Sequence, residues 1–78
     1  MSILPESSEN FLPQIWRSKD KKPLTCKEKI KILNENIIEI NQMANEAFED
    51  GMLMGADPNQ IKSILKAAVE NIKPSLSP

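Results

Sequence analysis

The chain has 78 residues, with 10 Lys and Arg against 11 Asp and Glu, and a formal net charge of -1. Its 40% hydrophobic and 27% charged residues are the composition of a folded globular chain, and the near-neutral total argues against coating DNA or an anionic membrane through bulk charge. The absence of His, a single Cys and only two Gly exclude His-based acid–base chemistry, an internal disulfide, a Cys-only zinc site and a glycine-rich phosphate cradle.

Residues 1–23 form an N-terminal arm. It starts loosely, through Pro5, Ser7 and Ser8, and continues into the apolar segment Phe11-Leu-Pro-Gln-Ile-Trp16 and the basic linker Arg17-Ser-Lys-Asp-Lys-Lys22. Phe11, Leu12, Ile15 and Trp16 fall at helical spacing, but Pro13 prevents a regular interior helix. The arm has neither the basic start nor the apolar run of a secretory signal, and no window reaches the length of a membrane span. With one unpaired Cys, these features lead us to expect a cytoplasmic protein.

Residues 24–73 predict a helical hairpin, and the expected fold class is all-α. Thr25-Cys-Lys-Glu28 fits a capping box that opens a long helix over about residues 25–54. Ile30, Leu33, Ile37, Ile40, Ala44 and Ala47 then make a seam with coiled-coil-like spacing, widened by Ile38, Met43, Phe48 and Met52. The helix is expected to run through Gly51 and stop at Gly55, a residue suited to a left-handed cap. Asp57 before Pro58, with Gln60 three residues after the cap, starts a short helix over about residues 58–73. Its apolar face is Ile61, Ile64 or Leu65, Ala68 and Ile72, and Pro74 closes it. A connection as short as Gly55–Asp57 predicts antiparallel neighbours. Residues 74–78 read as a flexible tail.

The short helix covers only the C-terminal half of the long one. Ile30, Leu33 and Ile37 therefore need another partner, either the FLPQIW segment folded back or a second copy of the long helix. Charge bears on the choice: residues 17–31 carry +5 and residues 32–57 carry -6. This order opposes the helix macrodipole, and an antiparallel second copy would set each basic end beside an acidic one. The expected assembly is a homodimer in which two hairpins make a four-helix bundle. Small size points the same way, because a core of this length rarely supplies more than about 3–5 kcal/mol.

The candidate partner-binding residues are Phe11, Leu12, Ile15 and Trp16 in the arm, Ile30, Leu33 and Ile37 on the seam, and Met43, Phe48 and Met52 toward the turn. The FLPQIW segment acts either in cis, as a staple on the long helix, or in trans, as a short motif with Trp16 as its anchor. Met43, Met52 and Met54 with Phe48 either fill the hairpin or form an adaptable docking groove. The basic patch is Arg17, Lys19, Lys21, Lys22, Lys27, Lys29 and Lys31. Trp16 beside it would suit stacking on a base, although Asp20 and Glu28 dilute the charge. Cys26 at a helix start among lysines is a candidate thiolate, but no His or second Cys completes a reactive pair.

Glu35, Glu39, Glu46, Glu49 and Asp50 lie mainly off the apolar stripe and read as solvated, so no metal or cofactor is expected. A helix-turn-helix reader built on Gln60, Lys62, Ser63, Lys66 and Asn71 is disfavoured by the acids that precede it. Met54-Gly-Ala-Asp57 before a helix is similar to the Met-Gly turn of ubiquitin-associated domains over four residues. The aromatic that follows the Gly there is absent, so no function carries over. The expected function is a small non-enzymatic interaction or regulatory module, acting on its own copy or on a larger protein through a helical surface. The alternative is a small nucleic-acid-associated regulator using residues 17–31.

Overall fold

A computed structural model describes residues 10–75. The expectations for the first nine residues of the arm and for residues 76–78 of the tail lie outside the described residues. Among the described residues the fold is all-α: α1 spans Lys27–Leu53, α2 spans Pro58–Glu70, and there is no strand. Two compact units divide the chain, Met1–Asn41 and Gln42–Pro78, and α1 contributes residues to both.

In the first unit the basic linker is a tight turn. Lys21 N–H donates to the Ser18 carbonyl (2.9 Å), Ser18 N–H donates to Lys22 O (2.8 Å) and Leu24 N–H donates to Trp16 O (2.8 Å). Arg17 and Pro23 form an isolated antiparallel bridge. The closing residue is Lys21, at φ 69°, a left-handed conformation that Gly or Asn ordinarily supplies. The Arg17 guanidinium donates to the Lys21 carbonyl at 3.1 Å.

This turn delays the helix. Leu24 is tied to Trp16, so the chain stays extended there and needs Thr25 to change direction. The first helical bond runs from Ile30 N–H to the Cys26 carbonyl (3.0 Å). The cap therefore falls on Cys26, one residue later than the Thr25 box predicts. Leu12, Trp16, Leu24, Ile30, Leu33, Asn34, Ile37 and Ile38 are half-buried, and the Trp16 indole N–H donates to Asn34 Oδ1 at 2.7 Å.

In the second unit α1 passes through Gly51 because α2 needs the space. A Cβ on Gly51 would stand 2.6 Å from Ile61 Cδ1 and 3.3 Å from Ile61 Cγ1. The Lys62 ammonium lies 5.5 Å from the centre of the Phe48 ring. Gly51 meets Ile61 and Phe48 meets Lys62, so later residues of α2 meet earlier residues of α1, as in an antiparallel hairpin.

The turn between the helices follows its residue chemistry. Gly55 takes φ +92°, its N–H donates to Met52 O (3.0 Å), and Ala56 N–H donates to Gly51 O (2.9 Å). That pair of bonds is the Schellman pattern, which satisfies two carbonyls at the end of α1. Asp57 then caps α2: its Oδ2 accepts from Gln60 N–H at 3.0 Å, and Pro58 occupies the first helical turn.

Two further sequence expectations need correction. α2 ends at Glu70, three residues before the predicted end. Asn71 N–H is shared between Ala67 O and Ala68 O, and Ile72 N–H donates to Val69 O, so the last turn tightens ahead of Pro74. The seam on α1 also departs from its predicted line at two positions, Ile40 and Ala47. Ile30, Leu33, Ile37, Ala44, Phe48 and Gly51 are half-buried together with Asn34 and Asn41, whereas Ile40 and Ala47 are exposed. The side chains that α1 turns inward thus include two asparagines, and the polar Asn34 is there because Trp16 donates to it.

Candidate interaction surface

The predicted partner-binding residues separate into two sets. Leu12, Trp16, Ile30, Leu33, Ile37 and Phe48 are half-buried, while Phe11, Ile15, Met43 and Met52 are exposed. The basic residues Arg17, Lys19, Lys21, Lys22, Lys27, Lys29 and Lys31 are all exposed. The turn gathers the first four of them within one loop.

Exposure of apolar side chains is the dominant property of both units. No described residue is buried. In the first unit Ile32 and Ile40 are each 57% exposed. In the second, Met43 and Ile72 are 72% exposed, Met54 81% and Leu53 87%. Ile32, Ile40, Leu53 and Ile72 were not singled out from sequence as partner contacts. Ile32 and Leu53 lie off the predicted seam, where an apolar residue marks a second face, whereas Ile40 and Ile72 lie on the predicted faces and are left uncovered.

Within the second unit this exposure has a shape. Ala47, Gln60, Ile61, Ile64 and Leu65 line an open depression of about 290 Å³. Four of the five are apolar, and the fifth, Gln60, donates its backbone N–H to the Asp57 cap of α2. The charges nearest in sequence on α1 are Glu46, Glu49 and Asp50, all exposed. Lys62 instead stands over Phe48. The result is an open apolar recess, a shape suited to an apolar side chain of a partner.

The thiol of Cys26 is exposed and has a pKa below the ordinary thiol value. The main cause is the backbone N–H of Lys29, which hydrogen-bonds to the sulfur; desolvation opposes it, and the Glu28 N–H and the Lys29 charge add to the lowering. This is the expected effect of a helix N-terminus on a capping sulfur. Among the described residues no group of three His, Cys, Asp or Glu side chains converges as a metal site would require. Neither helix is long and apolar enough to cross a membrane. No protein-family model, curated protein or solved structure matches the chain.

Proposed function

We propose that this protein is a small non-enzymatic interaction or regulatory module that works by presenting a helical surface to another protein. The observation that carries the reading is the combination of two well-formed helices with no buried described residue. Fully burying one Leu, Ile or Met side chain contributes about 1.5–3 kcal/mol. The exposed apolar residues of α1 and α2 therefore hold a large unrealised stabilisation that a partner surface would release. Contiguous exposed apolar area rimmed by polar residues is a mark of interaction sites.

Photo-crosslinking tests the reading. A crosslinking residue at Ile64, beside the apolar depression, should join the protein to a discrete partner in cells. The same label at Lys66, a further exposed position of α2, should do so much less. Equal, diffuse labelling from both positions would remove the reading.

A second reading has its own observation. The turn holds Arg17, Lys19, Lys21 and Lys22 exposed in one loop, a geometry suited to phosphate contacts. Under that alternative the protein is a nucleic-acid-associated regulator. Its signature is a mobility shift with RNA or DNA that weakens steeply as salt rises.

A further inference from the structure

We infer that the partner is a second copy of this chain, laid antiparallel so that the basic segment of each copy faces the acidic segment of the other. The inference rests on the interaction reading above and names its occupant. Charge complementarity carries it. Residues 17–31 hold +5 and residues 32–57 hold -6, and their charged side chains are exposed. No ion pair joins them among the described residues.

Within α1 the two segments come within a helical turn of each other only at Lys31 and Glu35; the other bases of α1 have no acid of the second segment three or four positions away. A parallel second copy would set base against base and acid against acid. An antiparallel copy opposes unlike charges at both ends.

The same arrangement answers the helix macrodipole. The last turn of α1 contains no base and includes Asp50, with Glu49 just before it, so α1 alone carries its charges in the unfavourable order. Bases brought by the other copy offset that.

Each unit also offers exposed apolar side chains, Ile32 in the first and Met43 in the second. The contact is isologous, meaning that each pair occurs twice about the two-fold axis.

A charge-swap experiment tests this with the full chain. One variant carries Lys27→Glu, Lys29→Glu and Lys31→Glu, and the other carries Glu46→Lys, Glu49→Lys and Asp50→Lys. All six residues are exposed, and helix content by circular dichroism verifies that each variant folds. In sedimentation at micromolar concentration the wild type should have twice the protomer mass. Each variant alone should lose the dimer, and an equimolar mixture should recover it as a one-to-one heterodimer. A monomeric wild type overturns the inference, as does a dimer that both variants retain unmixed. A monomeric wild type that still crosslinks from Ile64 to a different protein would reject self-pairing and leave the interaction reading standing.

Discussion

Gly51 is where a single atom decides the packing of the second unit. On an exposed helix, replacing Gly with Ala would stabilise by about 1 kcal/mol. Here the new methyl meets Ile61 Cδ1 at 2.6 Å, so Ile61 must change its side-chain angle and give up part of its contact with α1. Gly51→Ala should therefore yield little or no gain in thermal stability. Adding Ile61→Val removes the clashing methyl and should recover most of the helix-propensity gain. Urea melts of the two variants measure the difference. Cys26 supplies a second residue-scale expectation. Because the Lys29 N–H lowers its pKa, the thiolate forms at lower pH than in a free cysteine. Alkylation of the folded chain should accordingly show its midpoint below that of an unstructured Cys peptide, and urea should return it to the peptide value.

Helix ends are the best-determined elements, and they differ in how openly the sequence announces them. Asp57-Pro58 and Gly55 have few alternative uses, and both act as their chemistry predicts: one caps α2, the other takes a left-handed turn after α1. Gly55→Ala should cost about 1–2 kcal/mol, the penalty of a Cβ in that conformation. The turn at Lys21 was not legible because the residue that takes the left-handed position is a lysine. Nothing in Arg-Ser-Lys-Asp-Lys-Lys distinguishes a tight turn from a solvated linker; the hydrogen bonds at Ser18 and Leu24 make the difference. Lys21→Gly should stabilise the first unit by relieving that backbone, whereas the same substitution at Lys22 should not. Thermal melts of the two variants separate them. The cap of α1 was misplaced for a related reason: a non-local bond to Trp16 sets where the extended chain ends, and local pattern matching at Thr25 contains no information about it.

For the whole molecule, periodicity established the class of fold and the hairpin, because caps and short connections are local. It did not establish which apolar face turns inward. Asn34 and Asn41 look like flank residues by polarity, yet both are half-buried, and recognising this requires knowing that Trp16 brings a donor to Asn34. Exposure at two seam positions was hidden in the same way: Ile40 and Ala47 have the right spacing for the seam, yet both are exposed. Trp16 also gives the molecule a built-in optical probe. It is the single tryptophan, and its indole is half-buried and held by Asn34. Intrinsic fluorescence therefore reports on the first unit alone, while far-ultraviolet ellipticity reads both helices. Following both signals through one denaturant titration reveals whether the two units melt as one cooperative body or in succession.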